Sequence, residues 1–397
     1  MSKLNDWIAE LCPHGVEFKN LGEVAEIRRG VRVVKSQLAK EGKYPVYQNS
    51  LTPLGYYEKY NCPPSATFVI SAGAAGEVGY SSQKFWAADD CLYIEDNQKL
   101  SSRFLYHVLL MHQPFIRSNV RKASVPRLSR IVVENLLIPV PPLEVQREIV
   151  RILDSFTELT AELTAELTAR QKQYEYYRDL LLTFDAPPRG ILTNDRHVEF
   201  KKLGDIAEIR SGWGFPNKYQ GLSGGDLPFY KVSDMNHPKN LVYMSTASNY
   251  VSYETAKKLG CNPAPKDTVI FPKIGAAIAT NKKRMLSSVS CYDNNVMGVI
   301  VGEQVLAKFI YFLFEGCDLM NFSNGEGVVP SIRKSALEEW KVPVPLLEEQ
   351  ERIVKILDRF DKLCNDLNEG LPAEIEARQK QYEYYRDKLL SFGNKRV

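Results

Sequence analysis

Catalysis needs particular residue types gathered at fixed spacing, and this chain scatters them. Its five histidines, His14, His107, His112, His197 and His237, never fall at a spacing that places two ring nitrogens on one metal. Seven cysteines, Cys12, Cys62, Cys91, Cys261, Cys291, Cys317 and Cys364, are odd in number and never spaced C-x-x-C. That argues against a zinc site or a disulfide framework and predicts a reducing cytoplasm. No P-loop and no G-x-S-x-G nucleophile elbow occurs. Asn61-Cys-Pro-Pro64 approaches the N-P-P-[YF] of amino-methyltransferases, but a cysteine interrupts it. Ser65 also stands where an aromatic ring would stack on a flipped base. Gly73-Ala-Ala-Gly76 reads as a tight turn, because no acidic residue follows at the distance a ribose needs. The expectation is a chain with no catalytic residue, no metal ligand and no cofactor of its own.

What the sequence does offer is clustered cations. Arg28, Arg29, Arg32 and Lys35 form one cluster, and Arg117, Arg121, Lys122, Arg127 and Arg130 a second. Lys273, Lys282, Lys283 and Arg284 form a third, farther along. Such clusters in loops suit phosphate contacts, and arginine reads guanine bidentately. Trp213, with Phe215 in the same loop, either packs on a thymine methyl or anchors the loop. These residues are the candidate DNA contacts. A net charge of +3 alone is too mild to prove a nucleic-acid partner. Its distribution says more: residues 1–140 carry 17 Lys+Arg and 13 Asp+Glu, residues 141–190 carry 6 and 9, and residues 191–340 carry 17 and 15. Two basic blocks are thus separated by an acidic one.

The elements that would position these clusters are written twice. Val16–Gly30 (VEFKNLGEVAEIRRG) matches Val198–Gly212 (VEFKKLGDIAEIRSG) at eleven of fifteen positions. Ile138–Leu159 pairs with Val342–Leu363, and Ala169–Phe184 (ARQKQYEYYRDLLLTF) matches Ala377–Phe392 at fourteen of sixteen. Between these edges, 31–137 and 213–341 align only in scraps. The plan is variable block, shared helix, variable block, shared helix.

Within the shared segments, Pro142 is followed to Phe184 by no Gly or Pro, room for about 63 Å of helix. Its apolar stripe includes Ile149, Leu153, Phe156, Leu163, Leu167, Tyr174, Tyr177 and Leu181, spaced four and three as a coiled-coil seam requires. The second copy supplies Ile353, Leu357, Phe360, Leu367, Tyr382, Tyr385 and Leu389, with one four-residue stutter beside Gly370-Leu-Pro372 that predicts a kink. A helix this long exposes its seam unless partnered, and the other copy, running antiparallel, is the expected partner. The tandem T-A-E-L at 160–167 adds about 6 Å of helix per copy and reads as a spacer. The variable blocks read as mixed, strand-rich α/β. Buried strands are expected at Ala66–Ile70 and Thr268–Phe271, and short helices at Phe104–Met111 and Lys308–Phe314. The expected fold is α/β (α+β): two such blocks, 1–140 and 188–341, joined by long antiparallel helices at 141–187 and 342–397 in a pseudo-twofold repeat. Met1–Glu10 has no apolar stretch, and no run of about 18 apolar residues occurs, so neither a secretory leader nor a membrane span is expected.

The segments P-V-P-P-L-E-x-Q-x-x-I-V-x-I-L-D-x-F, the T-A-E-L repeats and the twice-used A-R-Q-K-Q-Y-E-Y-Y-R-D closely resemble the specificity subunits of type I restriction-modification systems, most of all their IC class. The resemblance covers the whole chain in plan, strongly in the helices and weakly in the variable blocks. It implies that each block is a target recognition domain for one half of a split DNA site, and that the helices set the spacer. It also implies two modification subunits that use S-adenosylmethionine to methylate adenine N6, with two restriction subunits using ATP and Mg as further partners. The alternatives are a self-contained DNA methyltransferase or nuclease, and a coiled-coil scaffold with no DNA role.

Overall fold

The computed structural model describes residues 2–122, 124–184, 198–221, 224–324, 329–366 and 369–392. The chain divides into two compact units, Met1–Thr164 with Glu374–Val397, and Ala165–Ala373. The first unit begins α1 (Ser2–Leu11), β1 (Phe18–Asn20), α2 (Leu21–Val24), β2 (Arg28–Arg29), β3 (Tyr44–Tyr47), β4 (Gly55–Tyr57) and β5 (Ala66–Ile70). It continues β6 (Val78–Ser81), β7 (Trp86–Ala87), β8 (Cys91–Ile94), α3 (Ser102–Ser118), α4 (Arg130–Glu134), β9 (Leu137–Pro139) and α5 (Leu143–Leu182), which runs on into the second unit.

The second unit holds β10 (Glu199–Lys202), α6 (Leu203–Ile206), β11 (Ala207–Ser211), β12 (Leu227–Tyr230), β13 (Tyr243–Met244), β14 (Tyr250–Val251), α7 (Tyr253–Lys258) and β15 (Val269–Pro272). Then follow β16 (Arg284–Leu286), β17 (Cys291–Tyr292), β18 (Val296–Val301), α8 (Ala307–Glu315), α9 (Lys334–Glu338), β19 (Lys341–Val344) and α10 (Leu347–Asn365). The last helix, α11 (Leu371–Leu390), belongs almost wholly to the first unit.

The two families of repeated segment recur together because they pair. β1 lies antiparallel to β9 with Phe18 opposite Pro139, and β10 lies antiparallel to β19 with Glu199 opposite Val344. Each variable block is thereby closed at its neck just before a long helix. The α2 and α4 turns pack so closely that a Cβ at Gly22 would meet Glu134 at 3.2 Å; the Gly204–Glu338 approach in the second unit is 3.0 Å.

The variable blocks, dissimilar in sequence, share one hydrogen-bond frame. In the first, an antiparallel sheet of order β2-β8-β5-β6 faces a small sheet of order β4-β3-β7 whose β3 and β7 are parallel. In the second, the orders are β11-β18-β15-β16-β13 and β14-β12-β17, again with a parallel pair, β12 and β17. Equivalent bonds join them. Gly30 N–H donates to Cys91 and Gly212 N–H to Val296; Ala88 N–H donates to Tyr47 and Asp293 N–H to Tyr230; Gly73 N–H donates to Pro126 and Gly275 N–H to Pro330. Gly73 and Gly275 sit at φ +84° and +75°, a region that suits glycine.

The expected strand at Ala66–Ile70 is β5, buried along its whole length, and that at Thr268–Phe271 is β15, shifted by one residue. The expected short helices are α3 and α8, the former extending to Ser118.

The helical seam is built unit by unit. Ile149 and Leu153 are fully buried in the first unit's core with Tyr382 and Leu389, and Phe156 stacks on Tyr385 at 5.2 Å. In the second unit Tyr174, Leu181, Ile353 and Leu357 share one core, and Tyr177 stacks on Phe360 at 5.6 Å. Within the second unit partner numbers fall as the α5 numbers rise, Arg170 acting on Cys364, Tyr174 on Asp361 and Tyr177 on Phe360, the register of an antiparallel pair. Leu163 and Leu167, in the T-A-E-L repeat, are half-buried. One expectation is corrected. The second long helix is not kinked at 370–372 but ends at Asn365 and restarts at Leu371. Gly370 folds back so tightly that a Cβ would lie 2.7 Å from the Asp366 and Lys362 carbonyls, and Pro372 suits a first helical turn. Leu367 lies outside the described residues.

Candidate nucleic-acid interface

Two glutamines that sequence reasoning passed over fix each block to its helix. Gln146, fully buried in the first turns of α5, accepts from Ser101 N–H (2.8 Å) and donates to the Lys99 and Pro141 carbonyls (both 2.7 Å). Gln350 repeats this on α10, accepting from Leu306 N–H (2.8 Å) and donating to Gln304 (3.2 Å) and Pro345 (2.8 Å). Their signal was present in the sequence, the same glutamine in both P-V-P segments.

On this scaffold the first unit gathers part of the predicted cation set. The Gly73 turn is held by Pro126 and, through Ala74 N–H, by Asn49; Arg127 bridges both Ala72 and Arg121 through the backbone. Arg121, Lys122 and Arg127 are therefore brought together, exposed, on one ledge. Arg117 borders it, since a Cβ on Gly76 would touch its side chain, but its guanidinium is paired with Glu77 at 2.7 Å. Arg29, at the end of β2, and Arg32 and Lys35 just after it are exposed, with Arg29 donating to the Asp89 carbonyl at 2.7 Å.

Two predicted contacts are otherwise engaged. Arg28 bonds Glu26 at 2.9 Å and Glu95 at 3.1 Å, and the Glu26 hydrogen bond raises its guanidinium above the usual value. Arg130 pairs with Glu134 at 2.7 Å and lines a hollow with Glu23, Glu26 and Lys99, so its guanidinium is already engaged by a carboxylate.

In the second unit the basic run turns inward. Lys283 is 1% exposed, with its ammonium donating to the Cys317 carbonyl at 2.7 Å, just beyond the C-terminus of α8. A helix C-terminus attracts a cation there, while burial lowers the lysine's pKa; Lys283 is corrected from DNA contact to core residue. Arg284 donates to the Lys283 and Met235 carbonyls, and burial lowers its pKa too. Lys282 bonds Asn236, and Lys273 bonds Ser211 at 3.1 Å. Trp213 packs into two apolar clusters beside Tyr292, and Phe215 stacks on Phe229 at 3.9 Å, so this loop is anchored. Lys218, missed in the sequence, is exposed beside Tyr219. It follows Gly212 by six residues, as Lys35 follows Gly30 by five, and that offset was the available signal.

A polar network braces the first unit. His107, fully buried, shares Nε2 with Asp154 (2.9 Å) and Nδ1 with the Tyr382 hydroxyl (2.9 Å), while Arg103 pairs with Asp154 at 2.8 Å. Burial lowers the His107 pKa, so the neutral ring donates from Nε2 and accepts the Tyr382 hydroxyl proton at Nδ1. Burial alone would raise Asp154, but the His107 and Arg103 hydrogen bonds outweigh it and hold its carboxyl below the usual range. Both shifts have one sign for stability. As pH falls below about 6.5 the unfolded histidine gains a proton that the folded one refuses, so stability declines at up to about 1.4 kcal/mol per pH unit until the folded pKa is reached. Aligning Phe104-Leu105-Tyr106 of α3 with Phe309-Ile310-Tyr311 of α8 puts Phe312 where His107 stands, so His107→Phe should flatten that decline. Urea unfolding at pH 7.5 and 5.5 reads it; an undiminished slope in the variant would remove His107 as the cause.

Among the described residues no group of three or more potential ligands could hold a metal, and no helix is long and apolar enough to cross a membrane.

Comparison with known proteins accords with this arrangement. The model of the type I restriction modification DNA specificity domain matches twice, over residues 13–170 and 196–377. A putative type I restriction enzyme specificity subunit of Haemophilus influenzae is 34% identical over 95% of this chain and 96% of its own. The EcoR124I/EcoR124II specificity subunit of Escherichia coli is 35% identical over 75% of this chain and 72% of its own. The crystal structure of a type I restriction-modification S subunit from M. genitalium shares the fold, with a TM-score of 0.62 at 18% identity over 94% of this chain and 96% of that one. The chain belongs to the specificity subunits of type I restriction-modification systems, the non-catalytic members of those enzymes.

Proposed function

We propose that each unit reads one half of a split DNA site, the recognition domains being 1–140 and 188–341 and the helical segments 141–187 and 342–397 setting the spacer between half-sites. The observation that carries this is one hydrogen-bond frame, anchored at Gly30 and Gly212, presenting two unrelated surfaces. A shared scaffold with divergent surfaces is what two readers of different sequences require. The candidate contacts are Arg29, Arg32, Lys35, Arg121, Lys122 and Arg127 in the first domain, and Lys218 and Lys273 in the second.

Two copies of a modification subunit dock on the repeated helical segments, in the cytoplasm, bringing S-adenosylmethionine for adenine-N6 methylation; restriction subunits with ATP and Mg add cleavage. What supports docking there is a twice-made surface. Tyr176 and Tyr384 stand 64% and 60% exposed at the same point of the A-R-Q-K-Q-Y-E-Y-Y-R-D repeat, each edge-on to its neighbour tyrosine at 5.4 and 5.3 Å. Exposed aromatic rings are typical anchors for a protein partner.

Mapping N6-methyladenine in cells with and without this chain, beside its modification subunit, tests the reading. A split motif methylated on both strands and dependent on the chain is expected. A third T-A-E-L copy should lengthen the spacer and leave both half-sites unchanged. Methylation by the chain alone, or none that depends on it, refutes the reading.

A further inference from the structure

One end of the small sheet in the first unit gathers exposed cations and rings that lie outside the candidate ledge. β3 is antiparallel to β4, with Tyr44 opposite Tyr57, and parallel to β7, with Val46 opposite Trp86. That register brings Lys43, Tyr44, Tyr60 and Lys84 to the same end. The four side chains touch in series. Lys43 lies 5.4 Å from the Tyr44 ring centre, Tyr44 meets Tyr60 edge-on at 5.1 Å, and Lys84 sits 4.3 Å over the Tyr60 ring while donating to its hydroxyl at 3.1 Å. Lys43, Lys84 and Tyr60 are exposed, Tyr60 by 44%. Neither lysine makes an ion pair among the described residues, although the acids Glu41 and Glu58 are close in the chain. Arg28, Arg117 and Arg130, by contrast, all have carboxylate partners.

We propose that Lys43 and Lys84, steadied by Tyr44 and Tyr60, form a phosphate clamp of the first unit alone, gripping the backbone of double-stranded DNA beside the half-site. This rests on the reading of the first unit as a DNA-binding head. Aromatic rings hold the ammonium groups in place without neutralising them, so little freedom is lost when a phosphate arrives. The span also fits. From Tyr44 the chain runs to Asn49, which holds the Gly73 turn beside the Arg121–Arg127 ledge; five extended residues cover at most about 17 Å. A major groove is about 12 Å wide, so ledge and clamp can address a groove and the phosphates on its far rim. The matching positions of the second unit carry other residues. Its parallel pair sets Phe229 opposite Cys291, which puts Asp226 where Lys43 stands and Val289 where Lys84 stands.

The test uses the chain in complex with its modification subunits, with binding to a target duplex and to an unrelated duplex measured across KCl concentrations. The Lys43→Gln/Lys84→Gln pair should lower the slope of log affinity against log salt by about two, and weaken both duplexes together on the order of tenfold near 0.15 M salt. Tyr60→Ala should reproduce part of that loss. An unchanged slope in the double variant, with target preference intact, overturns the clamp, as does a loss confined to the target duplex. If the unaltered complex shows no target preference, the failure lies with the DNA-reading assignment itself.

Discussion

Gly30→Ala is expected to destabilise the first unit by about 3 kcal/mol or more, and Gly212→Ala to do the same to the second. The reason is backbone proximity. A Cβ on Gly30 would lie 2.2 Å from the Ala88 carbonyl oxygen and 2.3 Å from that of Ala87; on Gly212 the distances are 2.1 Å to Asp293 and 2.3 Å to Tyr292. No rotamer relieves a clash with main chain. The segment that follows β2 or β11 must withdraw, and Gly30 N–H then loses Cys91 while Gly212 N–H loses Val296. Chemical denaturation of each variant measures the cost, and methylation mapping should show the target lost in both. A change below about 0.5 kcal/mol in either would mean the approach is looser than described.

The glutamine clamps carry the second large effect. Gln146→Leu and Gln350→Leu keep the approximate volume but each removes the partner of one N–H and two carbonyls, of which the Pro141 and Pro345 carbonyls are buried and the others part-buried. At about 1–3 kcal/mol for an unmet buried group, and less for the part-buried ones that water can reach, a loss of about 2 kcal/mol or more is expected. The more telling variant is Gln146→Glu. A carboxylate still accepts from Ser101 N–H but cannot donate to Lys99 or Pro141, and it faces two carbonyls at hydrogen-bond distance. It should therefore be at least as damaging as leucine. If Gln146→Glu unfolds at the urea concentration of the unaltered protein, the amide is not the clamp.

The helices were the most legible part of this fold, because a seam of apolar residues four and three apart is a local pattern that packing only has to honour. Ile149, Leu153, Ile353 and Leu357 show it, all fully buried. The break before Leu371 was less legible: a Gly and a Pro announce trouble in a helix, but whether the chain bends or stops depends on what the freed carbonyls meet. In the variable blocks, repetition resided in backbone hydrogen bonds rather than in side chains, and no residue comparison of 31–137 with 213–341 could reveal it. The cation clusters show the same limit. Lys282-Lys283-Arg284 reads as a basic surface, yet β16 lies between two strands and aims Lys283 at a helix end. Arg28 lies two residues from Glu26, a spacing that becomes an ion pair only because β2 extends there. Nothing short of tertiary structure separates a spent cation from a free one.

The second unit is one continuous stretch of chain, whereas the first is closed by residues from Glu374 onward. Its core counts Tyr382, Leu389 and Leu390 beside Ile149 and Leu153. On the ribosome, the block made earlier is thus the one completed later. Its apolar seam stays uncovered while some two hundred further residues are threaded out and folded, and exposed apolar surface of that kind invites chaperones or aggregation. A message cut short before codon 382 should yield a chain in which the later-made unit is complete in sequence while the earlier-made core lacks Tyr382, Leu389 and Leu390.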